Sequence, residues 1–279
     1  MSYINAGTDL HGEPVRLHYT DQGQGAPVVL IHGWPATHEM WEYQLAELPK
    51  HNLRVVAYTR RGFGQSTRTW EGNNYDTFAD DLKAVLDELD LQNVTLVGFS
   101  MGGGEVARYM SRHGGARVSK VVFVSAVTPF LLKTDDNPDG VPQEVFDGMT
   151  EGLEADRFAF LADFGKNFFS GGVLHKSVSQ PTLNWMQTIC QIASPRATEQ
   201  CVKAFSATDF RKDLAQLKVP TLVIHGDADA IVPAPVSGER MKEFVPHSTY
   251  IEYAGAPHGL FITDKEKLNK DLLEFAKSN

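Results

Sequence analysis

Val94-Thr-Leu-Val-Gly-Phe-Ser-Met-Gly-Gly-Gly-Glu-Val-Ala-Arg-Tyr109 runs from a short, continuously apolar stretch through a glycine-rich turn into a helical pattern. A run apolar on both faces suits a strand buried in a parallel sheet, and the helix that follows at once makes a βα unit. Within it, Gly98-Phe-Ser-Met-Gly102 has the G-x-S-x-G spacing. Small residues two before and two after a serine let it sit on a sharp strand-to-helix turn with its hydroxyl presented. The helix start also aims unpaired N–H groups at any negative charge developing beside Ser100. A glycine-rich turn carrying an idle serine is the plainer alternative, but a strand before and a helix after favour a nucleophile.

Comparable β-branched runs recur at residues 28–31, 55–58, 121–124 and 221–224. Between them lie helical patterns such as residues 75–91, where Phe78, Leu82, Val85, Leu86 and Leu89 recur at helical spacing. This alternation predicts an α/β fold with a mostly parallel sheet flanked by helices. Residues 15–19, followed by Gln22-Gly-Gln-Gly25, read as an additional edge strand and turn. From about Thr128 to Asp213 the alternation stops. Thr134-Asp-Asp-Asn-Pro-Asp-Gly140 opens a segment of aromatic-rich helical stretches at 144–149, 156–169 and 181–192. The expected organisation is a core of residues 1–127 and 214–279 with a helical cap (lid), 128–213, inserted in it.

Composition excludes several classes. The 279 residues are 42% hydrophobic, which excludes a disordered or fibrous chain. A net charge of −9 argues against binding a nucleic-acid backbone, which needs a basic face. Apolar runs reach only four or five residues, against the ~20 of a bilayer crossing, so no membrane partner is expected. The first ten residues lack a basic stretch before an apolar one, which predicts a cytoplasmic protein. Cys190 and Cys201 read as reduced thiols in that compartment. The chain has no H-E-x-x-H, paired CxxC or P-loop, so no metal or other cofactor is expected.

A serine nucleophile needs a base and an orienting acid, and behind this turn the expected chain order is serine, acid, histidine. Beyond the last buried run the candidate bases are His247 and His258. His247 precedes the strand-like residues 249–253 and so belongs at the opposite edge of the sheet. His258, in Gly255-Ala-Pro-His-Gly-Leu260, follows them, at the carboxyl edge where sites of parallel sheets form. For the acid, Pro220-Thr-Leu-Val-Ile-His-Gly-Asp-Ala-Asp229 supplies Asp227 and Asp229 on one post-strand loop. Local chemistry does not separate them; spacing leans modestly to Asp229. One oxyanion-hole donor is expected to be the N–H of Met101, directly after the nucleophile. Val28-Val-Leu-Ile-His-Gly-Trp34 fits the second, the Trp34 N–H, with His32 bracing that loop.

The same residues resemble the α/β-hydrolases of the cofactor-free (non-haem) haloperoxidase, arylesterase and γ-lactamase group, over essentially the whole length. The resemblance is carried by Arg60-Arg-Gly-Phe-Gly64, Tyr75-Asp-Thr-Phe-Ala-Asp-Asp81, residues 98–109 and Ala256-Pro-His-Gly259. Asp136-Asn-Pro-Asp-Gly-Val-Pro-Gln-Glu-Val-Phe-Asp147 is particularly similar to the haloperoxidase/lactamase branch. The resemblance implies an eight-stranded sheet, Ser100 as nucleophile, His258 as base, Asp229 as triad acid, and Trp34 and Met101 as oxyanion donors. It implies hydrolysis of small carboxylic esters (lactones or amides included) through an acyl-serine, with perhydrolase and haloperoxidase side activity and no cofactor. A γ-lactamase is the alternative within the class, and a triad-retaining ligand receptor the alternative outside it. Dimers or trimers are also consistent with it. One departure is Thr59, where the group has an acidic residue; an altered loop pose is expected there. The cap aromatics, Phe146, Phe164 and Trp185 among them, predict an apolar pocket, with Trp34, Phe99 and Leu260 along its floor.

Overall fold

A computed structural model describes residues 2–172 and 178–278, so 173–177 of the expected cap lie outside the described residues, as do residues 1 and 279. Its centre is an eight-stranded sheet. In chain order the strands are β1 (Ser2–Thr8), β2 (Pro14–Gly23), β3 (Ala26–Ile31), β4 (Leu53–Tyr58), β5 (Val94–Phe99), β6 (Val118–Val124), β7 (Thr221–Gly226) and β8 (Thr249–Tyr253). In space they are ordered β1-β2-β4-β3-β5-β6-β7-β8. Only the β1–β2 and β2–β4 pairs are antiparallel; every other neighbour is parallel.

The continuous apolar runs have the buried role their composition suggests. Successive side chains of a strand point to opposite faces. Val29 and Ile31 of β3 therefore join one core with Phe78, Leu82 and Val106, while Val28 and Leu30 join the other with Trp41, Leu268 and Leu272. Each aliphatic side chain so buried contributes about 1.5–3 kcal/mol. The first core is closed by α1 (Tyr75–Glu88) and α2 (Met101–Arg112). Asn74 starts α1, its side chain accepting the Thr77 N–H at 3.1 Å.

Among the described residues, three long helices stand between β6 and β7 in the chain, α3 (Gln143–Phe168), α4 (Gln180–Gln191) and α5 (Pro195–Ala207), followed by the single turn Arg211–Leu214. Helix α3 breaks at Asp156, whose backbone leaves the helical region (φ −156°, ψ 91°). The Asp156 carboxylate accepts the N–H groups of Phe158 and Ala159, so it caps the second half. A last helix, α6 (Lys265–Lys277), packs on the second core through Leu268 and Leu272.

The edge of the sheet differs from the sequence expectation. Residues 15–19 belong to a ten-residue strand, β2, that is internal and continues through Gln22 and Gly23. The edge position belongs to β1, where Ile4 is the one buried residue. A polar strand with one buried side chain carries almost no hydrophobic signal, and its place is set by pairing with β2.

Candidate active site

Ser100 stands between β5 and α2 at φ 53°, ψ −119°, a left-handed backbone that costs a non-glycine residue of order 1–3 kcal/mol. The neighbouring glycines make that turn possible by letting backbones touch. A Cβ on Gly98 would lie 2.5 Å from Gly102 O, and one on Gly102 would lie 2.6 Å from Ile31 O. Although Ser100 holds the N-cap position of α2, its side chain makes no cap hydrogen bond. Its Oγ instead lies 3.0 Å from His258 Nε2.

Parallel pairing brings the other parts to the same edge. Gly98 is paired with Ile31, Phe99 with Val124, Val124 with Ile224 and Gly226 with Tyr253. The loops leaving β3, β5, β7 and β8 therefore open side by side. From the last of these comes His258, whose Nδ1–H donates to Asp229 Oδ2 at 2.7 Å. Asp229 comes from the loop after β7, and its Oδ1 accepts the N–H groups of Ile231 (2.9 Å) and Val232 (2.8 Å). Burial works to raise the Asp229 carboxyl. The facing His258, with the hydrogen bonds from His225 and His258, nonetheless holds it well below its ordinary value. All three side chains are buried, and the Phe168 ring meets the His258 imidazole edge-on at 4.7 Å.

The two aspartates left open by local chemistry have separate partners. Asp227 Oδ1 accepts the Gly255 N–H at 2.5 Å and ties the β7 loop to the β8 loop, whereas Asp229 faces His258. His247 hydrogen-bonds Val219 O at 3.0 Å, before β7 and β8 begin. His32 is fully buried, its Nε2 accepting the Arg60 N–H (3.0 Å) and its Nδ1–H donating to Gly33 O (2.7 Å). The ring thus ties the loop that carries Trp34 to the loop that follows β4.

Met101 is the first residue of α2, so its N–H has no intrahelical acceptor. No backbone acceptor among the described residues takes the Trp34 N–H. The Trp34 side chain is pinned from above: Nε1–H donates to Thr198 O of α5 at 2.9 Å, and Phe164 and Phe205 meet its ring edge-on. Gly33 presses against the nucleophile candidate, since a Cβ there would lie 3.0 Å from Ser100 Cβ.

A cavity of about 270 Å³ opens on Ser100. Trp34, Phe146 and Phe164 line it, as expected from sequence. Three other expected residues do not. Phe99 and Leu260 are fully buried beneath the site, Phe99 with its ring 4.8 Å from that of His258. Trp185, on α4, is 40% exposed and borders a separate surface groove with Thr20 and Glu42. Aromatic composition marks helices that can border a pocket, but which side of a helix faces the cavity depends on how the helices pack. The cavity wall also includes residues that carried no sequence signal: Val127 and Leu131 after β6, and Ile231 and Val232 beside Asp229. Phe160, another of the aromatics from which the sequence predicts an apolar pocket, lies one helical turn before Phe164 and lines the cavity with it.

His225 is a further missed residue. It is the penultimate residue of β7, fully buried, with Nε2–H donating to Val232 O at 2.8 Å and lying 3.3 Å from Asp229 Oδ2. The signal was its position four residues before Asp229 at the end of a strand. Thr59, in place of an acidic residue, accepts the His38 N–H on Oγ1 (3.1 Å) and hydrogen-bonds His38 Nδ1 (2.6 Å).

Buried hydroxyl, imidazole and carboxylate hydrogen-bonded in that order, beside two N–H groups and an apolar cavity, suit acyl transfer. Comparison with known proteins gives the family. Residues 26–265 match the family described as alpha/beta hydrolase fold. The chain is 44% identical to the non-heme chloroperoxidase CPO-A1 of Kitasatospora aureofaciens, covering 94% of this chain and 96% of that protein. It is 41% identical to the bifunctional esterase/perhydrolase DCH of Acinetobacter calcoaceticus, covering 95% and 97%. The crystal structure of bromoperoxidase from Bacillus anthracis superposes with a TM-score of 0.95 at 46% identity, covering 99% of both chains. The chain therefore belongs to the α/β-hydrolase fold family and, within it, to the group of non-heme haloperoxidases and related esterases.

Proposed function

We propose that this protein is a serine hydrolase of small carboxylic esters, working through an acyl-serine intermediate. The observation that carries the reading is the unbroken chain Ser100 Oγ–His258 Nε2 (3.0 Å) and His258 Nδ1–Asp229 Oδ2 (2.7 Å) opening on an apolar cavity. With Nδ1–H given to Asp229, Nε2 is free to take the Ser100 proton as Oγ attacks the ester carbonyl. The tetrahedral oxyanion is received by the N–H groups of Trp34 and Met101, each worth roughly 3 kcal/mol of barrier. His258 returns the proton to the departing alkoxide, and the alcohol leaves. Water, deprotonated by the same imidazole, then releases the acid and restores Ser100. Segment 128–213 acts as the cap whose Phe146, Phe160 and Phe164 select small apolar acyl or aromatic groups.

Hydrogen peroxide attacking the acyl-serine in place of water gives a peracid, which oxidises halide in solution and returns the carboxylic acid. The names of the chloroperoxidase and esterase/perhydrolase relatives support this second outcome. Ser100→Ala is expected to lower kcat/KM for a p-nitrophenyl ester by at least ~10³-fold and to abolish peroxide-dependent halide oxidation with it. Undiminished ester turnover would refute the mechanism, and halide oxidation surviving alone would place that activity elsewhere.

A further inference from the structure

We propose that His18, His38 and Glu39 form a binding site for a divalent transition-metal ion such as Zn²⁺, outside the Ser100 cavity and unused by ester hydrolysis. His18 projects from β2, and His38 and Glu39 open the short helical turn His38–Trp41. One ligand atom from each of the three lies within 4.8 Å of the others. His38 Nδ1 is 3.4 Å from Glu39 Oε2, and His18 Nδ1 is 3.9 Å from Glu39 Oε1. Ligand atoms about 3.3 Å apart surround a tetrahedral zinc with bonds of ~2.0–2.2 Å, so small side-chain rotations close the set.

Two unsatisfied atoms point the same way. His18 Nδ1 and Glu39 Oε2 are both buried and hydrogen-bond to nothing among the described residues. Nor does any lysine or arginine among them pair with Glu39. A carboxylate facing two imidazoles with no counter-cation is a costly arrangement that a bound cation would relieve. The outer shell also fits a metal ligand. His38 Nε2 is hydrogen-bonded to Thr20 Oγ1 at 3.0 Å; in the tautomer that carries its proton on Nε2, this contact orients the ring and the Nδ1 lone pair is left for the ion. In that tautomer Nδ1 accepts the Thr59 hydroxyl hydrogen at 2.6 Å, which must turn aside on binding. A solvent-open groove bordered by Thr20, Gln22, His38, Glu39 and Glu42 supplies entry and room for a water as fourth ligand.

Isothermal titration of the purified full chain with ZnCl₂ tests the site. One equivalent is expected to bind, and His18→Gln and Glu39→Gln are each expected to weaken it at least tenfold. Both variants are expected to retain metal-free ester turnover and the wild-type melting temperature. His18 and Glu39 are partly exposed, which makes them safer to change than His38. Should either variant melt early, Co²⁺ absorption of the wild type decides instead: bands of tetrahedral nitrogen/oxygen ligation, abolished by adding Zn²⁺, support the site. No binding by the wild type, octahedral Co²⁺ bands only, or a titration unchanged in both folded variants would overturn it.

Discussion

Asp229 accepts four hydrogen-bond contacts, and the one from His225 is the least obvious. His225 Nε2 must carry its proton, because Val232 O can only accept, and the same N–H lies 3.3 Å from Asp229 Oδ2. A donor there stabilises the carboxylate and competes with His258 for it. His225→Leu is expected to make Asp229 more basic, strengthen its hold on protonated His258 and move the acidic limb of kcat/KM to higher pH. His225→Gln, which keeps a donor, is expected to leave the limb near the wild-type position; an unmoved limb in both would reduce His225 to packing. A second prediction concerns stability. The Asp229 carboxyl is held below its ordinary value of 3.8, so its contribution is complete above that pH and is lost as pH falls through the lower folded value. The melting temperature of the wild type should therefore fall more steeply below about pH 4 than that of Asp229→Asn. Ser100, His258 and the aspartate pair were legible because the chain order serine, acid, histidine and the G-x-S-x-G spacing constrain them. His225 stood out less, since its one signal, a place four residues before Asp229 near the end of a buried strand, is shared by many structural histidines.

At the scale of elements, the serine turn depends on backbone contact between β3, β5 and α2. Gly102→Ala would put a methyl carbon 2.6 Å from Ile31 O, and neither partner is a flexible side chain. The loop carrying Trp34 begins at the next residue. The variant is expected to lose about 1–3 kcal/mol of stability and to lose kcat out of proportion, because displacing Ser100 by an ångström costs ~10²-fold. Denaturation and steady-state kinetics on the same sample check both. In α3, the break at Asp156 was readable as two helical stretches, 144–149 and 156–169, because an aspartate capping a new turn interrupts the pattern. Helix α5 carried signals of its own, Ser194 as cap and Pro195 in the first turn, and Ser194 Oγ accepts the Ala197 N–H. Trp185 was misplaced because aromatic content alone does not fix which face of α4 meets the cavity.

For the whole molecule, the motif arginines act as clamps between layers. Arg60 and Glu105 are both fully buried; Arg60 Nε donates to Glu105 Oε2 at 2.8 Å, and Tyr58 OH donates to the other oxygen. Arg61 makes a two-pronged pair with Asp81 at 2.6 and 2.7 Å. These contacts join the end of β4 to α2 and to α1. Glu105→Ala would leave a buried guanidinium uncompensated and is expected to cost about 3–5 kcal/mol, read as a lowered denaturation midpoint with unchanged slope. The class of fold followed from alternating apolar runs and helices, whereas spatial strand order and the polar edge strand β1 did not. Those depend on contacts between residues far apart in the chain, such as β2 with β4. The most direct test of the central assignment is to inactivate the protein with an alkyl fluorophosphonate and map the adduct by peptide mass spectrometry. A single adduct on Ser100, formed in step with loss of ester hydrolysis, is predicted; full activity with Ser100 labelled, or inactivation with Ser100 unlabelled, would contradict it.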